Sequence, residues 1–266
     1  MREADCSVAV ASGSEAARNV SHLVLLDNNF SAMPQVVMEG RRVVNNIQKS
    51  STLFLMKTLM SVLLSITAAI LFLTGLSNDV YFFDTSNLTG LEFVVIAIPS
   101  FALALQPNKN IIKGSFLKNV IKKCIPGGIA LALAVLSVYV CNITGLITCN
   151  EVEYRTLMVA VVMFTGTMAL VRICKPYNGY RVALVILTFA LVLLALTGLV
   201  DLCALIGLPK TPFGVLVSLF NLEFANITFL TSVVLLNYLL LNVLTDIFDK
   251  IKITSASEET AQAEEK

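Results

Sequence analysis

The stretch Phe30–Thr74 constrains this chain most, because it reads as one helical pattern that begins in water and ends in lipid. Its first half, Ser31 to Lys49, is amphipathic and basic, with Arg41, Arg42 and Lys49. Its second half, Thr52–Thr74, is apolar apart from Lys57. A polar segment joined to a membrane span without a flexible linker can transmit mechanical force. That points to energy coupling rather than simple anchoring.

The rest of the chain repeats the apolar pattern. It is 56% hydrophobic and 14% charged, against about 45–50% apolar in a soluble domain, and its mean hydropathy is +0.81. A transmembrane helix needs about 20 largely apolar residues. Six segments qualify, roughly Thr52–Thr74, Gly90–Leu105, Ile125–Ile147, Leu157–Ile173, Arg181–Leu208 and Leu222–Phe248. The second is short and interrupted by Pro99; the fifth is long and carries Asp201. The sequence therefore predicts a mainly α, polytopic membrane helix bundle of six transmembrane helices. No signal peptide is visible, since the first apolar run starts late.

Basic residues alternate between loops. Arg41, Arg42 and Lys49 precede the first span. Lys109, Lys113, Lys118, Lys122 and Lys123 lie between the second and third, and Arg172, Lys175 and Arg181 between the fourth and fifth; Lys250 and Lys252 follow the last. The intervening loops hold only Lys210. The positive-inside rule then places both termini in the cytoplasm, as an even number of spans requires. The end, Ser255–Lys266, is acidic and is expected to be a disordered tail.

A net charge of +1 offers no case for nucleic-acid binding. The six cysteines, Cys6, Cys124, Cys141, Cys149, Cys174 and Cys203, show no CxxC pattern and no nearby His, so most read as packing residues. Cys141 and Cys149 flank one external loop and could pair if that side is oxidising.

Residues 1–50 are too few for an independent core, yet they carry a pattern. Cys6–Ala11 reads as a strand ended by Ser12-Gly13, Ser14–Asn19 as a capped short helix, and His22–Asp27 as a second strand, with His22 structural. Ser31 can cap the helix that follows. Strand–helix–strand–helix is a piece of an α/β sheet whose other strands come from elsewhere.

Ala4-Asp5, Val8–Arg18, Leu25–Phe30 and Gly40–Lys49 together resemble the end of the phosphorylation domain of cation-pumping P-type ATPases. In that family this HAD-like segment follows a GDGxND motif and runs through a stalk into the fifth membrane helix. Six further spans with cytoplasmic ends are similar to the family's helices five to ten, and Gly90–Lys109 looks like the sixth helix of bacterial pumps. The resemblance divides the chain into 1–50, phosphorylation-domain end and stalk; 51–250, membrane domain; and 251–266, tail. The family's DKTGT aspartate, GDGxND motif, nucleotide-binding domain and first four spans are absent from this sequence. It therefore holds no catalytic residue and no cofactor of its own; ATP and Mg²⁺ are implied for the complete pump. The expectation is a C-terminal piece of a split, truncated or mispredicted pump in the plasma membrane, with lipid, a transported cation and an N-terminal pump half as partners. A membrane-only channel or accessory subunit, and a non-functional fragment, stand as alternatives.

Ionisable residues inside a span are costly and mark ion paths. Glu92 is the chief candidate ligand, and by helical spacing Ile96, Pro99 and Leu103 share its face. The resemblance places Glu92 where calcium pumps carry a cation-binding oxygen ligand, and puts the next ligand positions at Val95 and Ile96, which cannot coordinate through side chains. Pro99 frees a backbone carbonyl, a possible ligand for a hard cation. Lys57 reads either as a snorkelling residue at the cytoplasmic end of its span or as an internal cation that pairs with Glu92. Thr58 and Ser61 could add oxygens; the resemblance puts them where calcium pumps carry Asn and acidic ligands. Asp201, Glu223, Asn226 and Asn237 are secondary. Asp201 and Glu223 sit near the external ends of their spans, where interfacial exposure is the default, and Asn226 and Asn237 are expected to hydrogen-bond between helices. The ion itself stays open among Ca²⁺, Mg²⁺, Mn²⁺, a monovalent ion or H⁺.

Overall fold

A computed structural model describes residues 3–76, 82–83, 85–108, 110–112, 115–208 and 216–264. Lys109, Lys113 and Lys210, used above to orient the loops, lie outside the described residues. The chain forms two compact units, Met1–Asn45 with Pro107–Ile112, and Asn46–Gln106 with Lys113–Lys266.

In the first unit, β1 (Val8–Val10) and β2 (Leu23–Leu25) pair in parallel, with Val8 opposite Leu23. Helix α1 (Glu15–Val20) crosses between them, as parallel strands require. The Ser14 hydroxyl accepts the Ala17 N–H and opens α1. Asn28, at φ 53°, turns the chain after β2 and accepts the Ser12 N–H at 2.8 Å. Asn29, rather than the expected Ser31, accepts at the next helical start, bonding the Ser31 N–H across a 3₁₀ turn over Phe30–Ala32. His22 Nδ1 meets the Ser7 hydroxyl at 2.8 Å and the Ser7 N–H at 3.1 Å, which ties the two strand starts together. This unit also takes in Pro107–Ile112, whose Asn110 carbonyl accepts from Asn45 Nδ2 at 2.8 Å.

A two-stranded sheet is marginal by itself, and this one leaves Leu26 and Phe30 mostly exposed.

Helix α2 (Met33–Leu73) is unbroken through the position where the units divide. The second span is composite: α3 (Thr85–Gly90), a π-helical segment Leu91–Ala97, and α4 (Ile98–Leu105). Helices α5 (Phe116–Ile143) and α6 (Glu151–Ile173) follow. The fifth span breaks at Thr197 into α7 (Gly179–Leu196) and α8 (Gly198–Leu205). The last helix, α9, runs Phe224–Glu264. It continues helically over the stretch expected as a disordered tail; Ala and Glu are strong helix formers. Six helices are long and apolar enough to cross a membrane. The protein is a multi-pass membrane protein, mainly α.

Burial ranks the spans. The α6 window is 72% buried, whereas those of α2 and α9 are 28% and 22%. Helix α6 is thus the centre of the second unit, and α2 presents Ile66, Ile70 and Phe72 outward. Two glycines in α5 allow close approach to α2: a Cβ on Gly128 would lie 2.8 Å from Leu59 Cβ, and one on Gly127 2.8 Å from Met56 Cγ. All six cysteines are free, Cys141 and Cys149 included. Burial, and then the neighbouring Glu153, push the Cys149 thiol up, which disfavours the thiolate that disulfide formation needs.

Candidate cation site

Helix α2 and the composite second span meet in the second unit through polar contacts in antiparallel register. Asn46 Nδ2 donates to the Ala104 carbonyl at 3.2 Å and to the Gln106 carbonyl at 2.6 Å. One turn on, the Ser50 hydroxyl donates to the Ser100 carbonyl at 3.1 Å. Seven residues further along, Lys57 Nζ forms an ion pair with Glu92 Oε1. The last four carbonyls of a helix lack partners within it. At the end of α4 side chains supply them, with the Tyr180 hydroxyl on the Ala102 carbonyl at 2.8 Å and Asn46 on Ala104.

This register decides how deep the pair sits. Lys57 lies eleven residues beyond Asn46, about 16 Å at 1.5 Å per residue. Glu92 lies a similar distance back from Ala104. Both therefore lie within helices long and apolar enough to cross a membrane, well away from the end of α4. Placing Lys57 at the cytoplasmic interface and Glu92 at the external one is incompatible with their contact, because an ion pair cannot bridge the core. An isolated charge at bilayer depth costs about 2.5–3.5 kcal/mol on insertion scales; pairing neutralises both.

Between the Ser50–Ser100 and Lys57–Glu92 contacts, α2 advances seven residues while the partner retreats eight. A π turn absorbs one extra residue, and the π segment Leu91–Ala97 lies in that interval. It also corrects the expected face. Ile96, Pro99 and Leu103 are buried, but the Glu92 side chain is 50% exposed and so leaves their face. The freed carbonyl moves as well. In an α-helix Pro99 would free Val95; here the Ile98 N–H bonds Phe93, and Pro99 has no N–H. The Val94 carbonyl thus has neither an α-type nor a π-type donor.

The other candidates separate from this point. Thr58 is exposed, and its hydroxyl bonds the Phe54 carbonyl of its own helix at 3.2 Å. Ser61 is half-buried one turn beyond Lys57. Asp201 is exposed and accepts from the Ser218 hydroxyl at 3.3 Å; Glu223 is exposed just before α9. Asn226 is buried with Nδ2 unpartnered. Asn237 is buried but bonds Val233 of its own helix, at 2.9 Å, rather than a neighbouring one, because the adjacent turn's carbonyl is the nearest acceptor. Among the described residues no three His, Cys, Asp or Glu side chains converge. Further oxygen ligands around Glu92 would therefore be carbonyls and hydroxyls.

Sequence reasoning missed a second cluster. Arg181, counted above as a loop residue, is 4% exposed. Its Nε donates to Gln106 Oε1 at 2.8 Å and its Nη1 to the Pro176 carbonyl at 2.6 Å. The usable signal was its place after Asn178, whose side chain caps α7 by accepting the Arg181 N–H. Such a cap pins the first turn, and with it the arginine, against the bundle.

No protein-family model matches the chain. Curated relatives do. The calcium-transporting ATPase CtpE of Mycolicibacterium smegmatis is 34% identical over 194 residues, covering 70% of this chain and 24% of that protein. The probable cation-transporting ATPase exp7 of Streptococcus pneumoniae is 31% identical over 188 residues, with the same two coverages, 70% and 24%. A calcium-transporting ATPase of Bacillus subtilis is 25% identical over 174 residues, 60% of this chain and 19% of that protein. The chain thus spans about a quarter of the length of the first two relatives.

Proposed function

Because the chain is homologous to the cation-transporting P-type ATPases, we propose that it is part of an ATP-driven pump for Ca²⁺ or another hard cation. It supplies the stalk helix and half of the transmembrane ion pathway. The observation that carries this reading is the Lys57–Glu92 pair between two membrane-spanning helices, beside the π turn.

In this reading Glu92 ligates the cation, and the Val94 carbonyl, exposed by the π turn and Pro99, adds a second oxygen. Ser61, half-buried one turn beyond Lys57, is a further oxygen source, whereas the Thr58 hydroxyl is held by the Phe54 carbonyl of its own helix. Lys57 is a built-in counter-cation. It vacates Glu92 when the ion enters and returns when the ion leaves, so that no bare carboxylate is left in lipid. The parallel β1–β2 unit is the end of a HAD-like phosphorylation domain, and α2 carries its movement to the site. An N-terminal half contributes the nucleotide-binding domain, the phosphorylated aspartate and the earlier spans, and uses ATP with Mg²⁺. The pump sits in the plasma membrane with both termini cytoplasmic.

The test is ATP-driven ⁴⁵Ca²⁺ uptake by vesicles that hold this chain together with such a half. Uptake that needs both pieces and is abolished by Glu92→Gln is the expected result. Uptake that persists in Glu92→Gln removes Glu92 as an essential ligand. ATP-independent flux through this chain alone points instead to a channel.

A further inference from the structure

Where α2 enters the second unit, α4 and α6 finish and α7 begins, positive charge gathers; Arg172 in the last turn of α6 has Asp246 at 3.8 Å, whereas no described ion pair gives Lys49 or Arg181 a carboxylate. The Lys49 Nζ atom is buried and has no hydrogen-bond partner. It lies within electrostatic reach of Arg181, Cys174 and Lys123. Arg181 is almost wholly buried, and its described side-chain bonds go to neutral acceptors, Gln106 and the carbonyls of Cys174 and Pro176. Cys174 does not supply the missing negative charge. Burial pushes its thiol up, and the two cations beside it offset this only in part. Lys123, exposed on α5, gives the cluster an open side.

A buried ammonium without an acceptor is strongly unfavourable, and a second buried cation beside it adds repulsion. Basic pockets between transmembrane helices at the cytoplasmic side are suited to phosphate-bearing lipid headgroups. We propose that Lys49, Arg181 and Lys123 form a binding site for a phosphate oxyanion, with Gln106 fixing the Arg181 guanidinium. The headgroup of an anionic phospholipid is the ready source, because the cluster lies at the ends of membrane helices. The inference needs the multi-pass fold but not the pump reading.

Thermal unfolding of the full chain in nanodiscs tests it. The wild type should unfold at least about 3 °C higher in phosphatidylcholine containing phosphatidylglycerol than in phosphatidylcholine alone, a shift that Lys49→Met abolishes. Lys118→Gln, which removes an exposed charge on α5, the helix of Lys123, should keep the shift. Native mass spectrometry should find phosphatidylglycerol retained by the wild type and lost from Lys49→Met, an arm that does not depend on unfolding. A Lys49-dependent rise caused by inorganic phosphate in phosphatidylcholine alone would also support the site, with free phosphate as its source. The proposal is overturned if no shift depends on Lys49, if Lys118→Gln abolishes it equally, or if stabilisation in phosphatidylcholine requires residues 255–266, which would make the acidic tail the occupant.

Discussion

Two lysines eight residues apart on α2 face opposite electrostatic situations. Lys57 lies between two membrane-spanning helices and has a carboxylate on its Nζ. Lys49, in the cluster where α4 and α6 end, has a buried Nζ with no partner and a buried guanidinium close by. The first site is neutral within this chain, so an incoming cation must displace something. The second carries uncompensated charge, so an incoming anion displaces nothing. One helix thus holds a competitive site and an incomplete one.

The largest effect should come from breaking the neutral pair on one side only. Glu92→Gln strands Lys57 at bilayer depth and should destabilise the chain by about 2.5–3.5 kcal/mol. The double variant Glu92→Gln with Lys57→Met should recover most of that loss. Denaturation midpoints in nanodiscs measure both; equal stability of single and double variants would sink the comparison. Next comes Arg181→Gln, which removes hydrogen bonds to Gln106 and the Pro176 carbonyl and should cost about 2–3 kcal/mol. Asn46→Ala should follow at about 1–2 kcal/mol, because it uncaps two carbonyls at the end of α4. The smallest effect is expected at Thr58→Val, an exposed position bonded to its own helix, within about 0.5 kcal/mol. A larger loss there would mean that Thr58 faces a partner outside this chain.

The comparison also shows what was legible beforehand. The six spans and the strand–helix–strand head follow from hydropathy and turn residues, although α5 begins nine residues and α6 six residues before the expected spans, because hydropathy does not mark the polar first turns of a helix. Glu92 and Lys57 stood out because charge inside an apolar run is conspicuous in one dimension. Their pairing was one of two readings open for Lys57, and the Asn46 and Ser50 bonds set the register that brings the two side chains together. The π turn was hidden. Leu91–Ala97 is apolar apart from Glu92, and only Pro99 hints at an irregular ladder. Arg181 was misread because a basic residue at a span edge looks like an orientation signal, whereas its burial depends on Gln106, 75 residues away. The break at Thr197 in the fifth span was likewise invisible in hydropathy.

The most direct measurement of the central claim is cation affinity in membranes that hold this chain with its N-terminal half, comparing wild type, Lys57→Met and Glu92→Gln. If Lys57 competes with the ion for Glu92, Lys57→Met binds Ca²⁺ at least about tenfold more tightly, equivalent to about 1.4 kcal/mol, and Glu92→Gln loses binding. Unchanged affinity in both variants would contradict the account.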